Sequence, residues 1–435
     1  MAVAVIRAWR NWPVRALVVA LCLVSGASCS QSSDSTSSGA ARSDLTQDST
    51  SAHKRARAAL DTSLSYFDPG AGLWKSNDDK TTYVGAWQSG SAFEAAANAY
   101  AYIPEKTASL DNVLALSDNQ DEINSFLDGS NPYNDDVLWW VNAWLRIAAV
   151  TRDKSLATTL LANAEQVFNE RLTPNFDGQY NRCGGMQWKV SDPSDPSSLS
   201  PYANTITNGL FLIAATRLHA LTPDGQKSQY EDWIRKSAGW WFDGQGKALL
   251  AGYPIQDGLN QPASTGSACV LDTRVFTYNQ GIPLAGFGGI IKELPEDPLA
   301  VQALKVVEDS VAGTFGSDLV NSDGILVEPN SPVPAPGTND AAEFKGIFAR
   351  SLGYVAPVLT RTGGSQSSVR AIREFLVTNS DSVWTNDRAK ATVNGKERSI
   401  FGYRWQGPQD TTIPYMEAMM ATSVLDLFNA HIVAG

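Results

Sequence analysis

Helix-length apolar segments fill most of this chain, and the connectors between them alternate between short and long. That alternation limits the folds open to it. Twelve helices are predicted, over 52–66, 86–102, 110–127, 134–151, 154–170, 204–220, 225–242, 276–292, 297–314, 340–360, 366–379 and 412–430. Short links follow Tyr102, Thr151, His219, Lys292 and Thr360. Long ones, rich in Gly, Pro, Asn and Asp, precede Ala86, Asn204, Phe276, Ala341 and Thr412. Short links join antiparallel neighbours. With successive helices antiparallel, every long connector falls at one end of the molecule. Six such hairpins closing into a ring form an all-α (α/α)6 toroid, expected here as a single domain over 52–435. No alternating strand pattern of any length stands out. An open helical array is the alternative, because no fixed sequence repeat is evident.

The helices that follow the long connectors, together with the one opening at Asp135 after a shorter connector, start with a recurring mixture of aromatic, amide and acidic groups. These starts are Trp87-Gln88, Tyr133-Asn134-Asp135-Asp136, Tyr202 with Asn204 and Asn208, Thr277-Tyr278-Asn279-Gln280, and Glu343-Phe344-Lys345. One such start is a helix cap; five at one end of a ring would line a pocket. The Asp135-Asp136 start is the most suggestive. It opens a run, Val137-Leu138-Trp139-Trp140-Val141 with Trp144, Leu145 and Ile147, that is apolar on more than one helix face and so belongs in the interior. Asn134 or Asp135 is expected to cap that helix. Burial raises a carboxyl pKa and helix N–H groups lower it. The expectation is an ionised Asp135 beside an Asp136 that titrates higher, as a paired nucleophile and acid require. An acidic cap and nothing more is the plainer reading. Asn77-Asp78-Asp79 offers a contrast within the chain, since polar residues follow it and it reads as a solvated loop.

Composition narrows the function. Net charge is −11 with a pI near 4.9, which argues against nucleic acid or an anionic membrane surface as partner. Thirteen Trp and thirteen Tyr suit either a large core or the flat apolar platforms of a sugar cleft. The only histidines are His53, His219 and His431, with no metal-ligand spacing. No metal or cofactor is indicated, and a Ser-His-Asp site is disfavoured. The chain is expected to act as a monomer.

Residues 1–29 read as a signal peptide: Arg7, Arg10 and Arg15, an apolar run over 16–24, then Gly26-Ala27-Ser28-Cys29. That last stretch loosely resembles a bacterial lipobox with Cys29 as the lipidated residue; ordinary cleavage near Ala27 is the alternative. Residues 30–51 are Ser-rich and read as a flexible tether. Export permits Cys183 and Cys269 to pair, with two buried thiols as the alternative.

Five stretches, in order, resemble glycoside hydrolase family 76, the endo-α-1,6-mannanases. They are Tyr133-Asn134-Asp135-Asp136-Val137-Leu138-Trp139-Trp140, Cys183-Gly184-Gly185-Met186-Gln187-Trp188, Asn204-Thr205-Ile206-Thr207-Asn208-Gly209-Leu210-Phe211, Phe276-Thr277-Tyr278-Asn279-Gln280-Gly281 and Phe344-Lys345-Gly346-Ile347-Phe348-Ala349-Arg350. Trp87-Gln88 and Trp405-Gln406-Gly407-Pro408 match more loosely. The resemblance spans about 86–421. It implies an (α/α)6 fold and cleavage of α-1,6-linked mannan with retention, with Asp135 as nucleophile and Asp136 as general acid/base. Transfer to another sugar would pass through the same glycosyl-enzyme. Trp87, Gln88, Tyr133, Asn134, Trp188, Asn204, Asn208, Tyr278, Asn279, Gln280 and Lys345 are the expected substrate-binding residues. Trp188 and Tyr278 in particular are expected to bound the sugar, against a competing role in core packing. Family members often carry a third small residue after Cys-Gly-Gly; Met186-Gln187 stands there instead, which leaves the subsite preference open.

Spacing also bears on stereochemistry. Retaining glycosidases hold their carboxyls about 5–5.5 Å apart and inverting ones roughly 6.5–9.5 Å. Adjacent residues reach the shorter separation more readily. Two other readings compete. An unsaturated-uronide hydrolase of the same fold would need a basic cleft, for which Lys345, Arg350, Arg274 and Arg404 are available. A surface glycan-binding lipoprotein would keep the aromatics without needing the acid pair.

Overall fold

Helix α5 (Asn134–Val150) is buried around nearly its whole circumference, from Val137 through Leu145. A helix with no polar face has to be surrounded by other helices. Five more are of the same kind: α2 (Ala86–Tyr102), α7 (Thr205–Leu221), α9 (Thr277–Glu293), α11 (Ala341–Thr362) and α13 (Glu417–Ala434). Taken in chain order, with α5 between α2 and α7, each packs on the next, and α13 returns to α2, so the six close a ring. The computed structural model describes residues 51–76, 82–178, 180–190, 192, 194, 202–261, 267–329, 340–409 and 417–435. The signal-like segment, Cys29, nearly all of the tether and Asp78-Asp79 lie outside them.

The remaining helices are α1 (51–63), α3 (Ala108–Ala115), α4 (Gln120–Leu127), α6 (Lys154–Val167), α8 (Ser228–Phe242), α10 (Pro298–Phe315) and α12 (Gln366–Ser382). They bury one stripe each and form the outer layer: α6 lies on α5, α8 on α7, α10 on α9 and α12 on α11. The all-α (α/α)6 class holds. The short links join inner to outer helices, and the long connectors return the chain to the start of the next inner helix. All six inner helices therefore begin at one end of the ring.

Several details differ from expectation. The segment 110–127 is two helices, because Asn119 accepts from the N–H groups of Asp121 and Glu122 and starts α4 afresh. The final helix is described over Glu417–Ala434, and the expected start at 412 lies outside the described residues. Among the described residues, three small antiparallel sheets decorate the connectors. β1 (Phe67–Asp68) pairs with β2 (Leu73–Trp74); β3 (Tyr202–Asn204), β4 (Gly258–Asn260) and β5 (Val270–Asp272) form the second. In the third, β6 (Arg388–Val393) pairs with β7 (Lys396–Phe401) across Asn394-Gly395, with φ of 49° and 75°. Asn-Gly between short strands is a tight-hairpin signal that sequence reading passed over.

Inside the ring, below the helix starts, lies a charged layer. Arg350 donates to Asp426 at 2.9 and 2.6 Å and to Glu94 at 3.1 Å; Arg217 reaches Glu94 at 2.5 Å. Burial alone would raise Glu94, but the two guanidinium groups hold its carboxyl down at about 2. Four inner helices, α2, α7, α11 and α13, are tied together by these bonds. Among the described residues, no helix is long and apolar enough to cross a membrane.

Candidate active site

The first turn of α5 sits in the mouth of the ring where the long connectors gather. Helix α5 starts at Asn134, with Tyr133 at the N-cap position and no side-chain cap. The expected cap by Asn134 or Asp135 is therefore corrected. Asn134 is fully buried and spans two other groups: its Nδ2 donates to the Gln187 carbonyl at 2.7 Å, and its Oδ1 accepts from Arg171 at 2.6 Å.

The segment carrying Trp188 crosses the start of α5. The Asn134 N–H donates to the Trp188 carbonyl at 2.8 Å, and the Val190 N–H to the Pro132 carbonyl at 2.9 Å. Two features shape that segment. Gly185 has a φ of +68°, and a Cβ there would lie 2.5 Å from Asn208 Oδ1. Only glycine meets both demands. Asn208 then grips the Met186 backbone from both sides, accepting at 2.7 Å and donating at 2.8 Å. The Cys183–Cys269 disulfide, with Cα atoms 5.8 Å apart, joins this connector to the one after α8.

The result is that Trp188 hangs over the acids. It is 38% exposed, its ring centroid is 5.0 Å from that of Tyr133, and its Nε1 donates to Asp135 Oδ2 at 3.0 Å. Asp135 Oδ1 is buried and engages no partner among the described residues. Asp136 Oδ2 accepts from Asn131 Nδ2 at 3.3 Å. Burial pushes the Asp135 carboxyl well above the usual carboxylate range, and the charge of Asp136 adds to it. Burial also lifts Asp136, to about 6, with Asp340 and Glu122 contributing against the Asn131 amide. The expected low Asp135 is thus corrected: helix N–H groups do act on it, but desolvation outweighs them. Such neighbours titrate as a unit that holds one proton over a wide pH range.

Asp340, at the start of α11, escaped sequence reading. It accepts from Trp87 Nε1 at 3.2 Å and Gln88 Nε2 at 3.0 Å. Its signal was the one used elsewhere, an acid directly before an inner helix after a long connector. An aromatic wall runs between these groups: Trp87 lies 5.5 Å from Trp139 and 6.4 Å from Phe344, and Tyr278 stacks on Phe344 at 3.9 Å with planes 7° apart. Burial raises the Tyr278 hydroxyl, and Asp257, Asp135 and Asp340 add their charges. That effect places the hydroxyl among the site carboxylates.

The other expected residues are placed differently. Asn204 caps α7, accepting from the Thr207 N–H at 3.4 Å. Asn279 donates to Asp257 at 2.9 Å, and Gln280 bonds the Ile255 backbone in both directions. Lys345 is buried, donates to the Tyr403 carbonyl and lies over the Tyr403 and Trp405 rings. With Asn134 and Asn208, these residues build the walls from inside. Two of the cations available for a uronide cleft are already paired with carboxylates. Arg350 is buried against Asp426 and Glu94, and Arg274 is neutralised by Asp272 at 2.7 Å and Asp257 at 3.1 Å.

Comparison with known proteins agrees with this layout. The protein is 24% identical over 357 residues to a mannan endo-1,6-alpha-mannosidase, DCW1, of Saccharomyces cerevisiae, covering 78% of this chain and 70% of that one. An inactive variant of an alpha-1,6-mannanase from Salegentibacter sp. HEL1_6, with two consecutive aspartates changed to asparagine and alpha-1,6-mannotriose bound, superposes with a TM-score of 0.65 at 17% identity, covering 88% of this chain and 100% of that one. Dfg5 from Chaetomium thermophilum, in complex with glucosamine, gives 0.66 at 19% identity over 88% and 90%. These structures share the fold. The model of glycosyl hydrolase family 76 matches residues 51–434, nearly all of what the structure describes, and the chain belongs to that family.

Proposed function

We propose that this protein is a retaining endo-acting glycoside hydrolase that cleaves α-1,6-mannosidic bonds within mannan. One observation carries the reading: two adjacent carboxyls, raised by burial, lie at the aromatic-lined mouth of the ring with a tryptophan N–H on one of them. The relative that bears α-1,6-mannotriose after loss of two consecutive aspartates supports both the substrate and the pair.

In this reading Asp135 is the nucleophile. Its carboxylate oxygen bonds to the anomeric carbon while the bond to the departing sugar oxygen breaks. The proton that the pair shares lies on Asp136 in the reactive form, with Asp135 ionised, and Asp136 gives it to that oxygen. In the second step Asp136 takes a proton from water, the water oxygen bonds to the anomeric carbon, and Asp135 is released. A sugar hydroxyl in place of water gives transfer by the same route. Trp188 orients Asp135, Asp340 fixes Trp87 and Gln88, and Tyr278 and Phe344 present a flat face to the sugar. The signal-like N-terminus and the Cys183–Cys269 bridge support export to an oxidising compartment, with Cys29 as a candidate lipid anchor.

The test is reducing-sugar release from linear α-1,6-mannan, with the first product followed by NMR. A reducing end that appears first as the α-anomer is expected. A β-anomer appearing first means inversion and removes the nucleophile role from Asp135. No release at all from active, folded protein removes the substrate assignment.

A further inference from the structure

The ring has a second mouth. At the end away from Asp135, the C-terminal halves of all six inner helices enclose a cavity of about 550 Å³. Arg146 stands eleven residues after Asp135 on α5, about 16 Å along the axis at the usual helical rise. The two openings are therefore separated by the buried Glu94–Arg350–Asp426 layer.

The charge of this cavity is opposite to that of the molecule. Arg146, Arg217, Lys292 and Arg361 line it against a single carboxylate, Glu293, in a chain of net charge −11. Two of the four cations are already neutralised: Arg217 by Glu94 at 2.5 Å, and Lys292 by Glu293 at 2.7 Å. Among the described residues, no carboxylate pairs with Arg146 or Arg361.

Arg146 is the more telling of the two. It is half-buried, yet every group holding it is neutral. Its Nε donates to Asn98 Oδ1 at 2.7 Å and its Nη2 to the Tyr102 hydroxyl at 3.0 Å. The Tyr102 and Tyr354 rings flank it, with centroids 5.4 and 5.9 Å from the guanidinium carbon. A guanidinium fixed in one orientation, stripped of part of its water and left with its full charge is what an oxyanion site presents. Cations near helix C-termini also offset the helix dipole, and that accounts for Lys292 and Arg361 in the last turns of α9 and α11. It does not account for Arg146, since the last turn of α5 carries no basic residue.

We propose that this second cavity binds a dianionic oxyanion of the phosphate type, either free phosphate or the phosphate group of a small ester. Two guanidinium groups without a carboxylate partner match two negative charges, and the volume leaves room for an attached sugar-sized group. Neither the fold class nor the glycosidase reading requires such a site, and its test does not depend on them.

The experiment is calorimetric titration of the full-length protein at fixed ionic strength, with inorganic phosphate as one titrant and a hexose 6-phosphate as the other. One saturable site per chain is expected. Arg146→Gln and Arg361→Gln should each weaken it by about tenfold or more, since each removes a charge-assisted contact. Asp135→Asn, at the other mouth, should leave it unchanged. Tighter binding of the hexose phosphate identifies an ester as the ligand, and equal binding identifies free phosphate. Absence of saturable binding by both titrants, or binding that survives both substitutions, overturns the proposal. Arg361 is exposed, so its substitution keeps the test decisive if Arg146→Gln fails to fold.

Discussion

At the scale of single residues, the chemistry turns on what holds each carboxyl. The Trp188 N–H is the only side-chain donor found on Asp135 among the described residues, and it lowers that carboxyl against the effect of burial. Trp188→Phe keeps the ring and deletes the donor. A hydrogen bond to a charged group is worth about 1.5–3 kcal/mol, so kcat should fall by roughly ten- to a hundredfold. Asp135 would then titrate higher, and the acid limb of the rate profile should move to higher pH. The thermal midpoint should hardly change, because the ring is 38% exposed. An unchanged pH profile would show that the indole does not serve Asp135. Asp340 acts on the other carboxyl with the opposite sign. Its negative charge helps raise Asp136 to about 6. Asp340→Asn removes that charge, so Asp136 should lose its proton earlier and the basic limb should shift to lower pH, by up to about one unit. A shift the other way would mean that Asp340 acts mainly by placing Trp87 and Gln88.

At the scale of elements, the inner helices are joined by buried charge rather than by apolar contact alone. Glu94 belongs to α2, Arg217 to α7 and Arg350 to α11. Its carboxyl is held at about 2 against an ordinary 4.5. A depressed carboxyl stabilises the fold fully above its ordinary pKa, and loses that contribution as pH falls through the folded value. The window is thus pH 4.5 down to about 2, and the contribution is on the order of 3 kcal/mol. Urea unfolding at several pH values should show a steeper loss in the wild type than in Glu94→Gln across that window. At neutral pH the variant should be less stable by about 3–5 kcal/mol, because it leaves buried guanidinium charge uncompensated. Parallel pH profiles for the two proteins would place the acid-sensitive contact elsewhere.

At the scale of the whole molecule, the ring rigidly holds the first turns of its helices, while the connectors above them depend on ties of their own. The Cys183–Cys269 bridge ties two of these connectors covalently, closing 86 residues of chain. Replacing both cysteines with serine should lower stability by about 2–4 kcal/mol, read from denaturant midpoints. Because the bridge anchors the connector that carries Trp188, KM should rise as well. Titration of the unfolded, unreduced protein should find neither cysteine as a free thiol. Two reactive thiols would show that the connectors close without it.

Much of the architecture was legible from the amino-acid order, for a physical reason. A helix that must be buried on every side has few polar positions to offer, and connector length limits which helices can be antiparallel neighbours. Those two local properties led to the toroid and to the mouth where Asp135 and Asp136 lie. Hairpin β6–β7 was legible too, through Asn394-Gly395, but was outweighed by the helical pattern around it. What the chain order could not decide was the direction in which each polar side chain turns. Asn134, Asn208, Asn279, Gln280 and Lys345 occupy positions like that of Asp135, at the start of a helix facing the same mouth. Tertiary packing turned them inward, because each met a backbone group or a charged partner there that would otherwise have been left unpaired. The same packing set the pair's titration. Helix N–H groups are a local effect, whereas desolvation depends on Trp188, the ring wall and Asp340, which converge on α5 from distant parts of the chain.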